Sequence, residues 1–246
     1  MTSETAPTAW QRVLLKLSGE ALAGDEKFGI EGDILSHTAQ ELKNILDLGV
    51  ELGIVIGGGN FFRGMSAASQ GMDRVSSDYI GMLATAMNAL ALQQALEALD
   101  VSSRVLSAIE IRGVAEPYIR ARALKHLSLG RVVIFAAGTG NPLFTTDTAA
   151  SLRALEIGAE IMVKATRVDG VYDSDPEQNP QAMRFDRLTF DEVVQKRLKV
   201  MDMTAITLCE ENQMPIQVLD LHQEGSLIKM VKGEPVGTLI MDRPEA

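Results

Sequence analysis

Short aliphatic runs that break into Gly-, Ser- or Thr-rich turns, and then give way to helical periodicity, constrain what this chain can fold into. The runs at 13–17, 54–56, 131–137 and 161–164 have the length of buried strands and read as near-continuous apolar sequence rather than as alternation. Further strands are expected at 104–106, 216–219 and 237–241. Helices are expected at 34–46, 78–99, 117–127, 148–155, 190–198 and 202–212, and from Ser226 onward. Pro117 suits a first helical turn, Gly49 a helix stop, and Thr189 with Glu192 a capping box. In the helix at 78–99 the apolar positions are Ile80, Leu83, Ala84, Met87, Leu90 and Ala91. Strands alternating with helices require a mostly parallel sheet covered on both faces, with ligands gathered at the carboxyl ends of the strands. Composition agrees: 46% of the 246 residues are hydrophobic but only 4% aromatic, so the core must be aliphatic.

The turns carry the chemistry. Ala137-Gly138-Thr139-Gly140-Asn141-Pro142-Leu143-Phe144-Thr145-Thr146-Asp147 joins a strand to a helix with small and hydroxyl-bearing residues, a seat for an anion. Gly57-Gly58-Gly59-Asn60-Phe61-Phe62-Arg63 is a second candidate cradle. It matches neither a Walker A loop nor the dinucleotide pattern, and a glycine triplet also serves as a plain tight turn. Arg63 favours phosphate, because its planar fork suits anionic oxygens. Lys16, before Ser18-Gly19, and Lys164, before Ala165-Thr166, each end an apolar strand. A lysine there is costly unless it meets a carboxylate or phosphate, although its stem also permits snorkelling to the surface.

Asp73, Arg74 and Asp78 precede the long helix, and Asp78 is either a cap or an acceptor for ribose hydroxyls. Asp147 either caps its helix or holds a lysine beside the anion seat; Asp202 has the same capping alternative. The histidines at 37, 126 and 222 form no ligand spacing, so neither a metal site nor a histidine base is assigned, and the twelve methionines are assigned to core filling. The inventory is one of phosphoryl transfer, where positioning and charge neutralisation supply most of the catalysis.

Net charge is −10, which argues against non-specific nucleic-acid or anionic-membrane binding. The single cysteine, Cys209, cannot form an internal disulfide, and no apolar run reaches the roughly 20 residues of a membrane span. A cytoplasmic protein is expected. Residues 1–9 are expected to be a disordered leader, and 10–246 a single domain with a natural division near 150.

Seven ordered segments carry a resemblance. They are Lys16-Leu-Ser-Gly-Glu20, Val55-Ile-Gly-Gly-Gly-Asn60 with Phe62-Arg63-Gly64, and Gly81-Met-Leu-Ala-Thr85, then the run 137–147. Lys164-Ala-Thr166 with Val168-Asp-Gly-Val171, Leu198-Lys-Val-Met-Asp202 and Gly237-Thr-Leu-Ile240 complete the set. Over about residues 10–241 the chain resembles the bacterial UMP kinases of the amino acid kinase superfamily. The resemblance implies a three-layer α/β/α sandwich with a mostly parallel central sheet, and Mg²⁺-dependent phosphoryl transfer from ATP to UMP. It implies an acceptor lobe at about 10–150 and an ATP-side lobe at about 151–246.

Carried over by motif, Lys16, Leu17, Ser18, Gly19, Gly59 and Arg63 would contact the ATP phosphates, and Thr166, Tyr172 and Asp175 would line the adenosine side. Gly58, Asp78, Thr139, Gly140, Asn141, Pro142, Leu143, Phe144, Thr145 and Thr146 would hold UMP. Lys164 would neutralise the transferring phosphoryl, and Asp147 and Asp202 would organise the site. Mg²⁺ would be held mainly by the substrate phosphates. The family resemblance further implies a homohexamer, activation by GTP and inhibition by UTP, with Arg104 and Arg131 at the GTP site. Glu97 stands where some relatives carry a basic or polar side chain, and its carboxylate would repel a nucleoside triphosphate. Two other readings compete: an amino-acid or carbamate kinase of the same superfamily, and a nucleotide sensor without turnover.

Overall fold

The structure is a computed structural model, and it describes residues 8–24, 28–62, 71–176 and 178–242. The expected leader falls largely outside the described residues; Ala9, within them, donates its N–H to the Val231 carbonyl at 2.8 Å. Arg63 and Gly64 also lie outside them.

The seven strands expected from the sequence join two short ones that were not, at 116–117 and 187–188, in one nine-stranded sheet. In chain order they are β1 (Arg12–Leu17), β2 (Glu51–Ile56), β3 (Ser103–Ser107), β4 (Glu116–Pro117), β5 (Val132–Ala136), β6 (Ile161–Thr166), β9 (Arg187–Leu188), β10 (Ile216–Asp220) and β11 (Thr238–Ile240). Their spatial order is β4-β3-β5-β2-β1-β6-β10-β11-β9. Every neighbouring pair is parallel except β10 with β11. Between β6 and β9 the chain closes on itself in a two-stranded antiparallel ribbon, β7 (Val171–Tyr172) with β8 (Arg184–Phe185).

The period of two along β1 sorts the core into two layers. Val13, Leu15 and Leu17 face one side, where they pack with α1 (Gly32–Leu46), α2 (Arg74–Glu97) and α7 (Ser226–Val231). Leu14 faces the other, against α3 (Arg120–Ser128), α4 (Thr146–Ile157), α5 (Phe190–Gln195) and α6 (Met203–Glu211). This is the three-layer α/β/α arrangement with a mostly parallel sheet. Among the described residues, no helix is long and apolar enough to cross a membrane.

Three expectations need correction. Pro117 does not begin a helix: Glu116 and Pro117 pair with Leu106 and Ser107 as an edge strand, and the helix starts at Arg120. An edge strand tolerates a proline because one side of its backbone needs no ladder donor. The long helix starts four residues before Asp78, capped by Asp73, whose carboxylate accepts from the Ser76 N–H at 2.8 Å. Its inward face is also not the one expected. Ser77, Met82, Ala84, Thr85, Asn88, Ala89 and Leu92 are buried, whereas Ile80, Leu83 and Met87 are 40%, 49% and 51% exposed. Small residues bring α2 close to the sheet and its turns, and the larger apolar side chains stand outside. The methionines likewise divide, with Met162, Met214 and Met230 in the core and Met72, Met183 and Met203 exposed.

Candidate active site

Strand alternation and register put the two strand-end lysines together. Lys16 is one place beyond Leu15 on β1, Lys164 one place beyond Val163 on β6, and the two are direct partners across the parallel pair. Both therefore point to the α4 side of the sheet. Two adjacent ammoniums there demand a counter-charge, and α4 supplies it from its first turn. Asp147 accepts from Lys164 Nζ at Oδ2 (2.9 Å) and forms an ion pair with Lys16 Nζ at Oδ1 (2.9 Å). Lys164 also donates to the Val200 carbonyl at 2.5 Å.

Burial works against the charge on Asp147, but the flanking ammoniums outweigh it and hold its carboxyl below the ordinary range. The Lys164 ammonium is pushed below the usual lysine value by burial, with repulsion from Lys16 adding to it and Asp147 opposing it. The triad carries one net positive charge at the carboxyl end of the central strands.

Asp147 does not cap α4. Thr145 does: its hydroxyl accepts from the Asp147 and Thr148 N–H groups and donates to Asp202. Asp202 caps α6 by accepting from the Ala205 N–H at 3.0 Å, and also accepts from the Thr148 hydroxyl at 3.0 Å. Capping and site organisation are thus one role for this residue, tying the start of α4 to the start of α6.

A first cleft opens between α2 and the run that joins β5 to α4. It is lined by Gly58, Asp78, Thr139, Asn141, Phe144, Thr145 and Thr146, all expected on the acceptor side, and also by Gly59, expected beside ATP. Gly140, Pro142 and Leu143 shape the run without lining it. Gly140 (φ 80°) sits where a side chain would meet the Ala108 carbonyl at 3.0 Å, and Leu143 (φ 73°) donates its N–H to Asp78 at 2.8 Å. Asp78 is held from the other side by Arg74 (2.9 Å), so it anchors the run as well as facing the cleft.

Phe62 and Gly138, from the two candidate cradles, and Gly81, Met82 and Thr85, from a segment that carried the resemblance without an assigned role, complete the lining with Ser77, which the sequence did not point to. The cluster of small residues from Gly81 to Thr85 was the available signal for that role. Thr85 Oγ1 accepts from the Ala137 N–H at 2.7 Å, which fixes the strand end where φ becomes positive.

The glycine turns also pack closely against one another and against α2. A Cβ on Gly19 would lie 2.6 Å from Asn60 Oδ1 and 2.7 Å from the Gly57 carbonyl, and one on Gly58 would lie 2.8 Å from Ala84 Cβ. A clasp of buried amides holds this turn to α2. Asn88 donates to the Gly57 carbonyl and to Asn60 Oδ1 (2.7 Å each), and Asn60 returns a hydrogen bond to Asn88 at 3.0 Å. Leu17 is fully within the core, so only its main chain is available to a ligand. Ser18, at the start of the short 3-10 helix Gly19–Leu22, makes no side-chain cap.

A second cleft runs from Lys164 past Thr166 to Tyr172 and Asp175. The Tyr172 hydroxyl donates to Asp169 at 2.6 Å, which fixes the ring at its edge. Lys196, Arg197 and Lys199 line the same cleft and were not singled out; the basic run from 196 to 199 was the signal. Lys164 lines this second cleft, and its partner Asp147 follows Thr146, which lines the first, so the ion pair lies between the two.

Arg104 and Arg131 line neither cleft. They converge elsewhere: Arg104 Nε lies 3.9 Å from Glu116, which is 3.3 Å from His126, whose other ring nitrogen lies 3.2 Å from Arg131. Arg122 joins them at 3.6 Å from Glu116. Among the described residues, no group of three or more His, Cys, Asp or Glu side chains could hold a metal ion. Asp147 and Asp202 are already engaged by lysines, threonines and a helix N-terminus.

Comparison with known proteins follows the same lines. Residues 11–220 match the model of the amino acid kinase family. The chain is similar to the crystal structure of UMP kinase from Bacillus anthracis, with 41% identity and a TM-score of 0.92 over 97% of this chain and 98% of that one. It is similar to UMP kinase from Ureaplasma parvum at 36% identity and a TM-score of 0.89, over 94% and 99% of the two chains. It also resembles uridylate kinase from Archaeoglobus fulgidus, at 30% identity and a TM-score of 0.72, over 93% and 99%.

Proposed function

Because this chain belongs to the amino acid kinase family, we propose that it transfers the γ-phosphoryl group of ATP to UMP, giving ADP and UDP. The observation that carries this reading is the Lys16–Asp147–Lys164 triad, set between the cleft that Thr146 lines and the cleft that Lys164 lines. Two of the solved structures it is similar to in fold and sequence are UMP kinases.

UMP occupies the first cleft, its ribose on Asp78 and its phosphate toward the Thr139–Thr146 run and the N-terminus of α4. ATP occupies the second, with adenine at Tyr172, the ribose side near Thr166 and Asp175, and the phosphates running to Lys164, Lys16, Ser18 and Gly19. Arg63 is proposed beside those phosphates on the motif alone. A phosphate monoester has its second pKa near ~6, so the acceptor oxygen is already ionised at neutral pH and needs no general base.

The protein's task is to hold two anions in line and offset their repulsion. Lys16 and Lys164 do this, and Asp147 holds both ammoniums in place. Magnesium carried on the ATP phosphates supplies further charge neutralisation; the engaged state of Asp147 and Asp202 fits a metal held mainly by substrate.

Regulation and assembly extend the proposal. Arg104 and Arg131, brought together through Glu116 and His126, form an anion site for GTP, and UTP acts as inhibitor. The exposed apolar face of α2 supports self-association, as a homohexamer on the family pattern. The enzyme works in the cytoplasm, as one domain with an acceptor lobe at about 10–150 and an ATP-side lobe at about 151–246.

The test is ADP release from Mg-ATP with UMP, CMP, dUMP, AMP, aspartate, glutamate, N-acetylglutamate or carbamate. Turnover with UMP is expected. Turnover only with an amino acid or carbamate would overturn the acceptor, and none at all would leave a nucleotide sensor. Lys16→Ala separates the last case, because a kinase loses rate far more than UMP affinity.

A further inference from the structure

Four of the seven helices described are closed by a glycine in the left-handed conformation. Gly49 (φ 87°), Gly130 (69°), Gly158 (65°) and Gly233 (76°) follow α1, α3, α4 and α7. The other three are closed by Asp100 (φ 60°) after α2, Arg197 after α5 and Gln213 (φ 53°) after α6. Arg197 takes the left-handed position at φ 52°, its N–H donating to the Val194 carbonyl at 3.1 Å. The Leu198 N–H reaches back to Val193 at 3.0 Å, the paired closure that glycine makes elsewhere. A Cβ in this conformation crowds the following carbonyl, so arginine is strained where glycine is not. Of these three residues Arg197 is the one that borders a described groove, where its side chain has a use.

The use is visible in what surrounds the guanidinium. Arg197 is exposed and forms no ion pair among the described residues. It lines the groove both where Asp147 and Lys164 stand and where Thr166 and Tyr172 stand, and Lys199 does the same. The two cations thus border the path between the adenosine end and the point of transfer. Resting on the assignment of this cleft to ATP, we propose that Arg197, with Lys199 beside it, binds the phosphates of the donor that are not transferred. Arginine suits the task because its planar fork meets two phosphate oxygens at once.

The decisive variant is Arg197→Gly, since a binding role and a structural role predict opposite outcomes. Relief of strain should raise Tm by about 2 °C. Loss of the contact should raise KM for ATP roughly three- to tenfold, with kcat and KM for UMP nearly unchanged, the pattern of a contact kept through the reaction. Arg197→Lys should retain most of the ATP affinity. Gln213, left-handed at φ 53° after α6 and lining neither cleft, is the control: Gln213→Gly should raise Tm and leave KM for ATP alone. An unchanged KM for ATP in Arg197→Gly, a lowered Tm, or an equal weakening toward UMP would overturn the proposal. Calorimetric titration of Mg-ATP without acceptor separates it from the kinase reading. If the wild type binds ATP and Arg197→Gly binds it more weakly, the inference stands even where UMP is not the acceptor; if the wild type binds no ATP, both fall.

Discussion

Asp147 sets the electrostatics of the site from a position that touches both lysines. Asp147→Asn leaves two neighbouring, largely buried ammoniums without a counter-charge. Removing one partner from such a pair costs about 3–5 kcal/mol, and urea melts should register a loss of that order. UMP phosphorylation should fall by at least about a hundredfold, because both lysines lose their aim. The pH dependence has a definite sign. A carboxyl held below its ordinary value stabilises the fold above the unfolded value near ~4, and that contribution disappears as pH falls through the folded value. The urea midpoint of the wild type should therefore drop more steeply in acid than that of Asp147→Asn. Lys164 behaves in the opposite sense. Its lowered pKa makes its charge a cost to folding that is relieved as pH rises, while the reaction needs the charge. The alkaline limb of kcat/KM should accordingly fall below the ordinary lysine value of ~10.4, and Lys164→Arg should move it upward.

At the scale of elements, α2 is the platform on which the acceptor cleft is assembled. Asn88 grips the glycine turn, Thr85 the end of β5, and Asp78 the run before α4. The first two anchors satisfy buried main-chain groups and the third an exposed one, so the platform is rigid only while all are made. Asn88→Ala orphans the Gly57 carbonyl and half of the Asn60 amide. The expected cost is about 2–3 kcal/mol in thermal or urea unfolding. Because the turn borders the acceptor cleft and touches Gly19 on the donor side, KM should rise for both substrates. A rise for one alone would mean that the turn does not couple the two sites.

The molecule as a whole leaves a long helix with apolar residues on both faces. A helix of that kind is normally buried all round, yet Tyr79, Ile80, Leu83 and Met87 stand 40–51% exposed. Leu83→Glu with Met87→Glu should leave the circular dichroism spectrum intact and change unfolding by less than about 0.5 kcal/mol, as exposed substitutions do. Sedimentation should then show a smaller particle than the wild type. Identical sedimentation would mean that this face is not where copies meet. The same preparation serves for titration of GTP at sub-saturating ATP, where an unchanged rate would remove Arg104 and Arg131 from regulation.

Most of the elements, and the residue types at the site, were legible in the sequence because they depend on near neighbours along the chain. Aliphatic runs of strand length, the Thr189–Glu192 box and the lysines at two strand ends are local facts, and period two already implies that Lys16 and Leu14 share a face. Other features depend on contacts between distant segments. That Lys16 and Lys164 flank one carboxylate requires β1 beside β6 and α4 across both. Pro117 entered a strand because β3 offered an edge there, and Asp78 anchors a loop 65 residues away. The outward turn of Ile80, Leu83 and Met87 was hidden for the same reason: a helical period reveals that an apolar stripe exists but not which stripe meets the sheet. That choice fell to the small residues of α2, which alone let the glycine turn and the end of β5 come close enough to make a cleft.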